Sequence, residues 1–323
     1  MSSGEFDLIS QYFSPLSNQG APAFGLRDDA AVLTPPEGKD LVFTKDALVA
    51  EVHFFSNDPA DLVARKAVRV NLSDLAAMGA EPLGYLVALA LPKDMQDIEG
   101  WVAAFARGLK QDQDEFDWSL FGGDTVSTTG PLMITITAIG TVDPGKALRR
   151  NGAQEADDIY VSGTLGDAAL GLKCLTKEVV TPDSALINRY HLPQPRLDLG
   201  QNLWGIATSV MDISDGLVGD IRHLCALSGL GATIESDLIP VSDEFGKTLE
   251  SFPLYKKLIW NGGDDYELLF TAPAHVADDI RKISKSLGLD LTKIGRMTKE
   301  KAIVIQASNG DNLLQGEQGY RHF

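Results

Sequence analysis

The chain has 323 residues, with 28 Lys and Arg against 45 Asp and Glu, a formal net charge of −17, and 44% hydrophobic residues. This composition excludes disorder as the main state, makes nucleic acid a poor partner because so acidic a surface repels phosphodiesters, and admits a small anion only with divalent cations between it and the carboxylates. No apolar run reaches the ~18 residues of a membrane span, Glu5 and Asp7 stand where a signal peptide needs a basic and then an apolar region, and Cys174 and Cys225 make neither a disulfide framework nor a zinc cluster. The expectation is a cytoplasmic, two-domain protein with no membrane partner.

Residues 30–44 hold two apolar runs around Pro35-Pro36-Glu37-Gly38 and predict a strand pair. A long helix follows. Asp58-Pro59 offers an N-cap and a first-turn proline, Leu62, Val63, Ala67, Val70 and Leu75 recur at helical spacing, and Gly79 and Pro82 close the element. GYLVALAL (84–91) reads as a strand and residues 94–111 as a second helix. WSLF (118–121) then leads through a Gly-Gly-Asp turn into the β-branched strand PLMITITAIGTV (131–142). The order β-β-α-β-α-β-β packs helices on one face of a sheet and leaves the other free, a layout that commonly buries that face in a dimer. The pattern resets at Asp143-Pro144-Gly145, dividing the chain into residues 1–147 and 148–323. The second part alternates strands (158–163, 209–214, 232–236, 266–272, 302–307) with helices near 168–175, 184–190, 217–228 and 275–287, so the class is α/β or α+β.

No GxxxxGK[ST], HRD…DFG set or strand-linked GxGxxG is present. Instead, carboxylates recur where apolar strands meet turns or helices: Asp28 and Asp29, Asp46 and Glu51 followed by His53, Asp74, Asp124, Asp212 and Asp215, and Asp264, Asp265 and Glu267. A carboxylate flanked by core-forming residues is drawn inward, where its charge is costly unless a cation or donors satisfy it. Mg²⁺ binds through one or two carboxylates plus substrate phosphates and suits such a series. Each signal alone also has a plainly structural explanation. Asp28-Asp29 can cap a turn, Gly122-Gly123-Asp124 and Gly262-Gly263-Asp264 can be simple loops, and Asn71 can hydrogen-bond Asp74 one helical turn away. Asp212-Ile213-Ser214-Asp215 is sharper, since a helix starts there whose amides either attract a phosphate or are capped internally. The five histidines show no metal-ligand spacing.

GEFDLI, DDAAVL, TKDALVAEVHF, KAVRVNLSDLAAMGAEP, GGDT, RRNGA, VSGTLGDAALGL, HLPQPR, MDISDGL, GGDDYELLF and the closing GYRHF together resemble the thiamine-monophosphate kinase family, within the aminoimidazole-ribonucleotide-synthetase-like superfamily, nearly end to end. The resemblance implies γ-phosphoryl transfer from ATP to thiamine monophosphate, the last step in making thiamine diphosphate, with several Mg²⁺ ions and K⁺ as an optional helper. It implies an N-terminal α/β domain (1–147) that binds ATP and Mg²⁺ and pairs with its symmetry mate through a β-barrel-like interface to give a homodimer. It also implies a C-terminal α/β domain (148–323) that completes the substrate site. Carried over residue by residue, the metal set is Asp29, Thr44, Lys45, Asp46, Asp74, Asp124, Asp212 and Asp215, and the ATP contacts are Gly123, Asp124, Arg150 and Ser214. His53, Asp264 and Tyr320 are the contacts to the thiamine moiety. No general base is assigned, because a monophosphate oxygen is already an anionic nucleophile. Three positions depart from the family pattern: Lys45 stands for a hydroxyl residue, Arg27 for Gly, and Asp264 for Glu. Lys45 either lends its ammonium in place of part of a metal's charge or contributes only a backbone atom, its side chain turned to solvent.

Overall fold

The structure, a computed structural model, describes residues 5–179 and 183–314. The chain divides into two compact units, Met1–Leu75 with Ala80–Gly145, and Ala76–Gly79 with Lys146–Phe323.

The first unit contains strands Asp40–Val49 (β1), Glu81–Pro92 (β2), Ser119–Thr128 (β3) and Met133–Val142 (β4), with helices Ala60–Ala77 (α1) and Ile98–Phe116 (α2). The sheet order is β1-β4-β2-β3, antiparallel except for the β2/β3 pair, which α2 connects as a crossover. In α1, Ala64, Val68, Leu72 and Leu75 form a fully buried stripe, and Gly79 at φ +67° ends the helix in the left-handed conformation. Before α1, the Asp58 carboxylate accepts from the Phe55 N–H at 2.9 Å and closes the preceding loop. In α2 the cap is Asp97, whose side chain accepts from Gly100 N–H at 3.0 Å, so the helix starts later than residue 94.

Two sequence expectations fail here. Residues 30–34 form no strand; Val32 is 60% exposed, and Pro35 and Pro36 have no N–H to extend a ladder, so β4 takes the place beside β1. Gly122-Gly123-Asp124 is not a turn but the middle of β3. A Cβ on Gly123 would sit 1.9 Å from the Val87 carbonyl oxygen, so glycine serves close strand approach.

Alternation gives the sheet two unlike faces. Leu48, Val87, Leu89, Ile134, Ile136 and Ala138 are buried on the helix-covered side, whereas Phe43, Leu86, Val126 and Met133 are exposed large apolar groups on the other.

The second unit holds a six-stranded sheet in the order β10-β7-β9-β5-β8-β6, made by Asp158–Ser162 (β5), Ser209–Asp212 (β6), Gly231–Glu235 (β7), Leu268–Ala272 (β8), Leu291–Thr298 (β9) and Ile303–Gln306 (β10). Its helices of six or more residues are Asp167–Leu175 (α3), Ser184–His191 (α4), Leu197–Asn202 (α5), Leu217–Ser228 (α6), Asp243–Ser251 (α7) and Ala277–Leu287 (α8). β5 and β8 are buried throughout; Ile159 and Val161 join one apolar cluster and Tyr160 the other, so both faces are covered. Because β6 and β8 are antiparallel with Asp212 opposite Leu268, the segment leaving β6 and the segment entering β8 emerge side by side. No helix among the described residues is long and apolar enough to cross a membrane.

Candidate active site

In the first unit, β1 presents Thr44 and Asp46 on the helix-covered face, opposite Ala138 and Ile136 of β4. The Thr44 hydroxyl donates to Asp74 Oδ2 on α1. Burial, and then repulsion from Asp74, pushes the Asp46 carboxyl up to about 6. Asn71 does not hydrogen-bond Asp74; its Nδ2 donates to the Ala67 carbonyl at 3.0 Å and its buried Oδ1 has no protein partner. His53 follows β1 with its ring fixed: Nδ1 accepts from Val49 N–H at 3.0 Å, and its carbonyl accepts from the buried Lys66 ammonium, also at 3.0 Å.

Three predicted residues lie away from this group. Asp29 is on the exposed stretch before β1. Lys45 alternates to the open face, paired with Thr137 on β4, so its side chain points to the side of the sheet opposite Asp46. Asp124 also faces outward, paired with Ala88 on β2, and its Oδ1 accepts from Thr125 N–H at 2.8 Å. β1 and β3 are the two edge strands, three strand spacings or about 14 Å apart. Within one chain, Asp46 and Asp124 are therefore separated by both the width and the face of the sheet.

In the second unit, Asp212 is buried at the end of β6, followed by half-buried Ser214 and Asp215. The N–H groups of Ser214 and Asp215 donate to Asp220 Oδ2 at 3.0 and 3.1 Å, so the amides preceding α6 are capped internally. Burial, then Asp212 and Asp215, holds the Asp220 carboxyl well above its usual range. Arg150 is exposed and sits beside β6, because Val210 N–H donates to the Arg149 carbonyl at 2.9 Å. Asp264 lies next to Ser214, its N–H donating to the Ser214 carbonyl at 2.9 Å. Tyr320 lies outside the described residues. Sequence reasoning gave no role to Asp220, although a carboxylate among the apolar residues of a short helix was a usable signal.

Among the described residues, no three His, Cys, Asp or Glu side chains converge as a ready metal-ligand group. The chain presents pairs instead, Asp46 with Asp74 and Asp212 with Asp215 around Asp220. These donors are all oxygen, and burial, with like-charge repulsion added, already raises the carboxyls of Asp46 and Asp220, so the pairs suit a hard divalent cation whose remaining ligands are waters and phosphate oxygens.

The AIR synthase related protein N-terminal domain family matches residues 27–142 and the corresponding C-terminal domain family residues 154–308. Thiamine-monophosphate kinase of Escherichia coli K12 is 40% identical over 331 aligned residues, spanning 100% of this chain and 99% of the relative. The chain belongs to the thiamine-monophosphate kinase family. Membership makes it a kinase. Two solved structures extend the likeness: thiamine-monophosphate kinase from Stenotrophomonas maltophilia (TM-score 0.82, 38% identity, 96% of this chain and 98% of that one) and AaThiL complexed with AMPPCP and TMP (TM-score 0.79, 31% identity, 100% and 99%).

Proposed function

We propose that this chain transfers the γ-phosphoryl group of ATP to thiamine monophosphate, giving thiamine diphosphate and ADP. The observation that carries the reading is likeness along the whole chain to AaThiL complexed with AMPPCP and TMP, at a TM-score of 0.79. The site's chemistry supports it. A phosphate-monoester oxygen attacks without a general base, so the protein must align two anions and neutralise their charge. Mg²⁺, when bound, supplies the charge that lets carboxylates and phosphates approach.

Thr44, the backbone at Lys45, Asp46, Asp74, Asp29 and Asp124 would hold Mg²⁺ in the first unit, and Asp212 and Asp215 in the second. Gly123, Asp124, Arg150 and Ser214 contact ATP, the Arg150 guanidinium countering phosphate charge. His53, Asp264 and Tyr320 contact the acceptor. With Nδ1 accepting from Val49, the neutral His53 ring carries its proton on Nε2 and offers it as a donor. K⁺ would assist as a further counter-ion. The setting is the cytoplasm, which suits two buried free thiols, Cys174 and Cys225.

The same reading includes a homodimer joined through the open face of the first sheet. Phe43, Leu86, Val126 and Met133 are apolar and exposed there. A symmetric pair would also bring the outward-facing Asp124 of one copy towards the other.

³¹P NMR of the protein with ATP, Mg²⁺ and thiamine monophosphate tests the reaction. Thiamine diphosphate resonances growing with ADP are expected, and their absence while Mg²⁺ still binds would reduce the reading to the fold alone.

A further inference from the structure

The segment carrying Asp264 is held in a conformation that side chains avoid, by residues with no role above. Asp264 (φ +69°) and Tyr266 (φ +51°) both occupy the left-handed region, which for non-glycine residues persists only where the surroundings enforce it. Three backbone hydrogen bonds tie the segment to the chain leaving β6: Asp264 N–H to the Ser214 carbonyl at 2.9 Å, Tyr266 N–H to the Ile213 carbonyl at 2.8 Å, and Ile213 N–H to the Glu267 carbonyl at 2.8 Å. A Cβ on Gly263 would come within 2.5 Å of the Ser214 carbonyl oxygen, so the contact is close.

Beneath this pair lies a buried ionic network. Glu267 is 0% exposed. Arg196 grips it as a fork, Nε to Oε2 at 2.7 Å and Nη2 to Oε1 at 2.6 Å. Ser162 Oγ donates to Oε2 at 2.5 Å, and Arg189 Nη2 donates to Oε1 at 2.9 Å. The same Arg189 Nη2 donates to the Asp265 carbonyl at 3.3 Å, between the two left-handed residues. The Asp265 side chain accepts from Gly166 N–H at 2.7 Å and Ala168 N–H at 3.4 Å at the start of α3. Asp265 and Glu267 are thus pinned inside, while Asp264 and Tyr266 stay half-buried. Two guanidinium groups on one buried carboxylate are weak evidence for added stability, because their desolvation offsets their attraction; a network of this kind serves better to select one conformation.

We propose that Arg189 and Glu267 are positioning residues, fixing Asp264 against the Ser214 loop so that the acceptor contact and the ATP contact share one rigid backbone pair. This rests on the reading that Asp264 touches thiamine monophosphate and Ser214 touches ATP. The Ser214 side has its own anchor, Asp220. Loosening the Asp264 segment therefore weakens the hold on the acceptor and spares the hold on ATP.

The test is Arg189→Lys, whose Nζ ends one bond short of the Nη2 that donates to both the Asp265 carbonyl and Glu267. Arg196→Lys is the comparison, since Arg196 touches Glu267 and not the Asp265 carbonyl. Arg189→Lys should raise KM for thiamine monophosphate about tenfold or more with KM for ATP within about twofold, as a small misplacement of a contact residue does. By hydrogen exchange, its Asp264 and Tyr266 amides should exchange about tenfold faster while those of Ser214 and Asp215 do not change. Arg196→Lys should leave those two amides slow. If both KM values rise together, or if Asp264 and Tyr266 exchange at the parental rate, the proposal is overturned. Should Arg189→Lys fail to fold, Glu267→Gln, which keeps the shape and loses the charge, must give the same selective rise. If the parent protein does not phosphorylate thiamine monophosphate, the functional reading fails by itself, and the exchange rates alone then decide whether Arg189 holds the segment.

Discussion

At Asp46, burial and then repulsion from Asp74 disfavour the carboxylate's charge, a cost that the proposed metal site would offset. Asp74→Asn should therefore lower kcat about 100-fold or more while the melting temperature stays level or rises, since like-charge repulsion is removed. Calorimetry beside steady-state rates checks this; a large drop in melting temperature would show a structural carboxylate instead. Asp265 gives a second test. Burial, the largest cause, raises its folded pKa from 3.8 to about 8. Below about pH 4 both states are protonated and the group is neutral to stability. Between there and pH 8 the unfolded chain loses its proton while the folded one keeps it, so stability falls with rising pH and levels above 8. Relative to Asp265→Asn, the parent should lose melting temperature across that window, at roughly 2–4 °C per kcal/mol; a flat difference would mean that the folded carboxyl is ionised. Asp265 stood in the sequence beside Asp264 with the same surroundings, and nothing local told which of the two turns inward. That choice is made by the amides of α3, some hundred residues away in sequence.

Among elements, the helices were the legible part. In α1 Val63, Ala67, Val70 and Leu75 are buried and Gly79 ends the helix as spacing indicates, although Ala64, Val68 and Leu72, which spacing did not single out, are buried as well, and α3, α4 and α6 begin and end near where periodicity put them. β9 was missed because Lys293, Gly295 and Arg296 hide its alternation, although it pairs with both β5 and β7. GGDT was read as a turn because paired glycines usually are; only the parallel neighbour β2, brought in by a crossover, makes it a strand. Of the candidate site, sequence picked out residues and not their grouping, since neither strand pairing nor sheet face can be read before the register is known. The glycine in β3 can be tested directly: Gly123→Ala should cost about 1–3 kcal/mol or more, seen as a lower denaturant midpoint, as its methyl meets the Val87 carbonyl. An unchanged midpoint would mean that β3 is not held against β2 as described.

At the scale of the whole molecule, the open face of the first sheet and the acidic surface act together. If two chains pair through Phe43 and Val126 as proposed, their charge of −17 each makes them repel at low salt and associate better as ions screen them. Phe43→Asp with Val126→Lys should give a folded monomer by light scattering with turnover much reduced; a variant that stays dimeric would move the interface elsewhere. The positions of Asp46 and Asp124, on opposite faces and opposite edges of one sheet, also have a genetic consequence. If each site takes Asp46 from one copy and Asp124 from the other, two inactive variants, Asp46→Asn and Asp124→Asn, complement each other. Unfolded and refolded as an equal mixture, half of the dimers are hybrids, and each hybrid has one site carrying both defects and one carrying neither. The mixture should regain about a quarter of the parental activity, although each variant alone has almost none.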